Sequence, residues 1–248
     1  MDIDARHDGA LALIGFNRPG RRNAITAAMY DALADAITAA EADDAIHAIV
    51  LHGTADTFTA GNDIEDFIER PPSGPDTPVF RFLRVASEAR KPLIAAVEGA
   101  AVGIGTTVLL HCDLAYAADN ARFQLPFARL GLVPEFGSSL LLPQRAGHAR
   151  AAEMLLLGEP FDAAHALACG LLTKITAPGA ALATAIDAAR RIAALPRESV
   201  ALTKTLMKAP HAEAVRRQIE VESEHFRRML GEPAARAALA AFLARRKS

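Results

Sequence analysis

Residues 92–107 read Pro-Leu-Ile-Ala-Ala-Val-Glu-Gly-Ala-Ala-Val-Gly-Ile-Gly-Thr-Thr, and this stretch decides the architecture. Its first six residues form a short apolar run between punctuating residues, which predicts a buried strand over 92–97. Gly99, Gly103 and Gly105 then carry the chain into a predicted short helix near 104–111. Glycines at such a passage allow close backbone approach, and the first N–H groups of the helix have no partner inside it. The loop lacks the Gly-Lys-Ser/Thr of a phosphate loop, and no third glycine completes a dinucleotide fingerprint, which disfavours nucleotide binding.

The same pattern occurs upstream. Phe58-Thr59-Ala60-Gly61-Asn62-Asp63-Ile64 reads as a strand running into a helix N-terminus, with Asp63 as a cap. Two such turns could offer two N–H donors to one developing oxyanion, each worth on the order of 10²–10³ in rate.

Working outward, strands are predicted over 10–17, 45–51, 113–117 and 121–125. Helices are predicted over 26–42 and 79–90. Thr26 caps the first helix, and Met29, Leu33, Ala36 and Ile37 share one of its faces. The alternation predicts an α/β protein with parallel strands and crossover helices. The segment Pro71-Pro72-Ser73-Gly74-Pro75-Asp76-Thr77-Pro78 reads as an exposed loop. Beyond about residue 146, helices follow near 146–157, 162–168, 180–194, 197–207, 211–230 and 232–247, with one strand near 171–175. The expected organisation is a core over 1–195 and a helical region over 196–248 whose apolar faces suit subunit contacts.

Composition narrows the function classes. The chain has 248 residues, half of them apolar (51%), as a globular protein requires. A net charge of −2 and the absence of tryptophan argue against a nucleic-acid partner. Cys112 and Cys169 lie in apolar surroundings and read as packing residues rather than a disulfide or a metal site. No apolar run reaches about 18 residues, so no membrane span is expected. The charged start over 1–6 and the Arg246-Lys247-Ser248 end carry no secretory or peroxisomal address, which makes cytoplasmic the expected location.

Glu135 stands in Leu132-Val133-Pro134-Glu135-Phe136-Gly137-Ser138-Ser139. An unpartnered buried carboxylate is costly, and burial raises its pKa toward that of a useful base. The competing reading is a buried ion pair with Arg129 or Arg145. Glu65 and Asp66 read as acids of a helix start, Asp113 as a structural acceptor, and His111 and His148 as surface or capping residues. Nothing in the sequence accounts for Glu98. Arg18, Arg21 and Arg22 crowd the turn Asn17-Arg18-Pro19-Gly20-Arg21-Arg22-Asn23-Ala24, which by itself reads as a solvated turn.

In this order and spacing, these stretches resemble the crotonase (enoyl-CoA hydratase/isomerase) superfamily over essentially the whole chain. The resemblance implies a spiral of ββα units with a helical C-terminal trimerisation region. It also implies a homotrimer or dimer of trimers and an acyl-CoA thioester substrate, with coenzyme A as part of that substrate rather than a cofactor, and no metal. It implies that the thioester oxygen is held by the N–H groups of Asn62 and Ile104. Arg21, Arg22, Ala24, Ala60 and Gly61 would border coenzyme A, and Phe58, Ile64, Thr107, Phe127 and Phe136 the acyl group. The basic end Arg245-Arg246-Lys247 would either be solvated or reach a neighbouring subunit's coenzyme A.

Family hydratases carry two glutamates, and Thr107 and Phe127 stand at those positions here. Neither can transfer a proton at neutral pH. The peroxisomal-type Δ3,Δ2-enoyl-CoA isomerases carry one glutamate in a Pro-Glu-x-x-Ser-Ser stretch, which Pro134–Ser139 resembles. The expected reaction is therefore 3-enoyl-CoA to 2-enoyl-CoA through Glu135. The alternatives are a hydratase in which Glu135 activates water alone and a non-catalytic acyl-CoA- or RNA-binding member of the fold.

Overall fold

A computed structural model describes residues 2–74 and 76–247, with side chains through residue 244. The strands are β1 (Ile3–Asp8), β2 (Leu11–Phe16), β3 (Ala48–His52), β4 (Thr57–Thr59), β5 (Leu93–Val97), β6 (Ala100–Val102), β7 (Leu114–Ala118), β8 (Arg122–Gln124), β9 (Phe161–Asp162) and β10 (Lys174–Thr176). One sheet runs β1-β2-β3-β5-β7-β10 and a smaller one β4-β6-β8-β9. Consecutive strands alternate between the sheets, since β3, β5 and β7 enter the first and β4, β6 and β8 the second. Parallel pairing links β3 to β5 and β5 to β7, and likewise β4 to β6 and β6 to β8. This alternation is the expected ββα spiral.

The central strands of the large sheet, β2, β3, β5 and β7, are buried on both faces, which explains their near-continuous apolar sequences. Leu11, Leu13, Val50 and Ile94 point to helix α8 (Ala181–Ala193; helices are numbered in chain order), whose Ala181, Ala185 and Ala189 allow close approach. The intervening Ile14, Leu51 and Val97 face the main core with Met29, Leu33 and Ile37 of α1 (Ala27–Ala42). Thr26 caps α1 by accepting from the Met29 N–H at 3.3 Å. That main core extends from Ile3 to Ala235, so the C-terminal helices share it.

Several expectations need correction. β1 was not foreseen, and it pairs antiparallel with β2 as the sheet edge. The strand placed at 171–175 is β10, Lys174–Thr176, because Gly170 takes φ +70° and the chain turns through Leu171 and Leu172 first. The helix placed at 146–157 is α6 (His148–Ala152) followed by a π turn over Glu153–Leu157. It is separated by Gly147 from an unforeseen α5 (Ser138–Ala146). In the proline-rich loop Pro72 is buried rather than exposed, and Pro78 opens α3 (Pro78–Glu88). The remaining helices are α2 (Ile64–Glu69), α4 (Ile104–Thr107), α7 (Ala163–Ala168), α9 (Arg197–Lys208), α10 (Ala212–Leu230) and α11 (Pro233–Lys247). The side chains of Arg245–Lys247 lie outside the described ones.

Glu98 is explained by α8. Its carboxylate accepts from Gly179 and Ala181 N–H groups at 3.1 and 3.0 Å, capping a helix whose own N-cap residue, Ala180, has no acceptor side chain. Cys112 and Cys169 are buried and free. Among the described residues, no His, Cys, Asp and Glu group could hold a metal ion, and no helix is long and apolar enough to cross a membrane.

Candidate active site

Parallel pairing of β4 with β6 makes their exits neighbours, so the two glycine turns come together at the carboxyl ends of adjacent strands. Gly61 measures how closely. Its φ is +84°, and a Cβ there would lie 2.8 Å from the Val102 carbonyl oxygen, so only glycine lets the turns touch. Gly103, with φ +55° and ψ −116°, aims the start of α4 into the same space.

The turns leave two donors unspent. Asn62 bridges to Ile25, but that bridge uses the Ile25 N–H to Gly61 and the Asp63 N–H to Ile25. The Asn62 N–H therefore points the other way, and it has no acceptor among the described residues. Ile104, first in α4, is likewise without one.

Tyr30 was not anticipated. Its hydroxyl donates to the Asn62 side-chain oxygen, which pins the first turn to α1. Burial holds the Tyr30 hydroxyl well above its ordinary pKa, and the Glu135 charge adds to the effect, which places Glu135 in the same neighbourhood. The Tyr30 ring packs on Phe82, and Phe82 on Phe136, at centroid separations of 5.5 and 6.0 Å.

Glu135 is 5% exposed, and its Oε1 is buried without a hydrogen-bond partner. Burial, with a smaller contribution from the Glu222 charge, pushes its pKa up to about 8. The ion-pair reading fails, because Arg129 pairs with Glu159 at 2.9 Å and Arg145 donates to the Leu110 and Gly170 carbonyls. His111 also departs from expectation. It is buried, its ring stacks on Phe136 at 3.9 Å, and its Nε2 bonds the Phe136 carbonyl at 2.7 Å. Burial drives its pKa down to about 3, so the ring is neutral and Nε2–H is the donor.

Of the other expected residues, Thr107, Phe127 and Phe136 are buried and Ile64 is half-buried. Phe58 is fully buried, with its ring edge-on to Phe16 at 5.2 Å. Arg21 is tied to Asp63 and Glu65, yet its buried Nε has no partner. Arg22 is exposed, and its carbonyl accepts from Ala60 N–H at 3.0 Å. Ala24 is buried behind this turn and receives Arg18 at its carbonyl. Asp63 caps α2 as expected and pairs with Arg18 at 2.6 Å, which keeps its carboxyl low against the opposing cost of burial. Asp113 accepts from the Leu93 N–H at 2.7 Å and pairs with the buried Lys204 at 2.7 Å.

A ββα spiral presenting paired free amides near a buried acid is the crotonase fold. The chain belongs to the enoyl-CoA hydratase/isomerase family, whose model matches residues 6–248. A Rhizobium meliloti protein named "Probable enoyl-CoA hydratase" is 34% identical across 97% of this chain and 94% of its own length. "Enoyl-CoA delta isomerase 2" of Rattus norvegicus is 36% identical across 81% of this chain and 53% of its own length. The solved structure of Pseudomonas aeruginosa OdaA is similar at 47% identity and a TM-score of 0.95, covering 97% of this chain and 98% of that one.

Proposed function

We propose that this chain isomerises 3-enoyl-CoA to 2-enoyl-CoA by a 1,3-proton shift, with Glu135 as the sole proton carrier. One observation carries the reading. Among the described residues the buried carboxylates are Asp63, Glu98, Glu135 and Glu222, and only Glu135 keeps a buried oxygen with no donor. Asp63, Glu98 and Glu222 are each engaged by backbone N–H groups of a helix start.

In this reading the thioester oxygen lies between the Asn62 and Ile104 N–H groups. Ionised Glu135 takes a proton from C2, and the electron pair delocalises through the carbonyl and the C3–C4 double bond as a dienolate. Neutral Glu135 returns the proton to C4, which leaves the double bond between C2 and C3. One base and one oxyanion site are sufficient for this sequence. Hydration needs a second proton carrier beside a positioned water, and the positions that would provide it hold buried Thr107 and Phe127. The likeness to a delta isomerase supports the same choice.

Arg21 and the exposed Arg22 would border the coenzyme A phosphates. The exposed Leu202, Leu206 and Met207 on α9 support an oligomer built on the helical region over 196–248, checked by sedimentation. The deciding experiment supplies 3-enoyl-CoA and 2-enoyl-CoA separately. Formation of the conjugated thioester from the first supports isomerisation. Dominant formation of 3-hydroxyacyl-CoA from the second would overturn it.

A further inference from the structure

The loop carrying Glu135 is bent in a way its own residues do not stabilise. Phe136 takes φ +64°, a left-handed conformation that is costly for a bulky residue, and Gly137 follows at φ +70°. α5 then begins with Gly137 at its N-cap, where no side chain of the loop supplies the missing acceptor. The acceptor comes from far along the chain. Glu222 of α10 is 4% exposed, and its carboxylate accepts from Gly137 N–H at 2.6 Å, from Ser139 N–H at 2.9 Å and from the Ser139 hydroxyl. One helical turn earlier, Gln218 donates to the same Ser139 oxygen at 2.8 Å. A Cβ on Gly137 would meet Ile219 and Val215 at 3.4 and 3.6 Å, so this face of α10 lies directly on the loop. Further along α10, Phe226 packs edge-on against Phe67 of α2, the helix that follows the Asn62 turn, at 6.0 Å.

We propose that Glu222 is the positioning residue for Glu135: its carboxylate holds the Phe136–Ser139 bend that aims the base. The inference rests on Glu135 being that base. Burial raises the Glu222 carboxyl above its ordinary pKa, and the three hydrogens donated to it by Gly137 and Ser139 oppose that shift. The other titratable groups set against this part of the chain are Tyr30 of α1, whose pKa is raised by burial and then by the Glu135 charge, and His111, held neutral against Phe136. The groove between α3 and α10 is lined by Arg84, Glu88, Arg216, Glu220, Glu224 and Arg227, three charges of each sign. Glu222 is thus the charged group set against the loop itself.

The test compares Glu222→Gln with the parent and with Glu135→Gln. Three readouts are followed: kcat, the pH profile of kcat/KM for 3-enoyl-CoA, and the Kd of a saturated acyl-CoA. Glu222→Gln is expected to lower kcat about 10²-fold, as a misplaced base does, with the Kd unchanged. The acid limb of its profile moves to lower pH, because the like charge is gone. A lowered kcat with the limb unmoved would reduce Glu222 to an ordinary helix cap and overturn the proposal, as would unchanged kcat. Should Glu222→Gln fail to fold, Glu222→Asp decides. It keeps the charge but shortens the reach, so kcat falls while the limb stays; unchanged kcat overturns the proposal. An inactive Glu135→Gln beside a parent-like Glu222→Gln defeats this inference alone, whereas an active Glu135→Gln defeats the base assignment.

Discussion

Replacing Glu135 by glutamine should destroy activity and, in a pH-dependent way, stabilise the protein. Proton transfer by one side chain is worth about 10²–10⁴ in rate, and with no second carrier the loss in kcat should lie near the upper end. The stability effect follows from burial. The Glu135 carboxyl rises from 4.5 to about 8 on folding, so the native protein holds a proton that the unfolded chain releases. Stability therefore falls as pH rises through the window between those values and levels off above it. At 1.36 kcal/mol per pKa unit, the cost of the ionised base is at most about 5 kcal/mol. Glutamine cannot ionise, and the unsatisfied amide it buries costs the same at every pH. The variant should therefore gain on the parent between about pH 4.5 and 8. Urea unfolding at several pH values reads this gain, and absorbance of the conjugated thioester reads turnover. Parental turnover, or a stability difference that does not change with pH, would refute the reasoning.

In the parent, kcat/KM for 3-enoyl-CoA should rise about tenfold per pH unit on the acid side and level off above about 8, which a steady-state pH series checks. Tyr30→Phe removes the donor to the Asn62 side chain. Its expected cost is roughly 1 kcal/mol of stability and, by loosening the oxyanion turn, about tenfold in kcat, measured by denaturant titration and steady-state kinetics. Gly61→Ala forces a side chain to φ +84° and against the Val102 carbonyl, so it should destabilise by about 2 kcal/mol or more and lower kcat.

What the sequence revealed was local. Thr26 and the 3.6-residue recurrence of Met29, Leu33 and Ile37 made α1 readable, and apolar runs marked β2, β3, β5 and β7. β1 was missed because Asp4, Arg6 and Asp8 look like a charged terminus, although charge at every second residue suits an edge strand. β6 and β9 are three and two residues long, too short to show a period. α5 contains Pro143, which reads as a breaker. Glu135 was legible because its apolar flanks are adjacent in the chain. Glu222 and Tyr30 were not, since their partners stand 85 and 32 residues away and no local pattern records such contacts. Glu98 was opaque for the same reason, its Ala181 partner lying 83 residues on.

A crystal structure with a bound enoyl thioester tests the central claim most directly. The account predicts the thioester oxygen about 2.7–3.1 Å from both the Asn62 and Ile104 nitrogens, and one Glu135 oxygen about 3–3.5 Å from C2 and within similar reach of C4. A Glu135 carboxylate turned to solvent, with a different acid beside the reacting carbons, would contradict it.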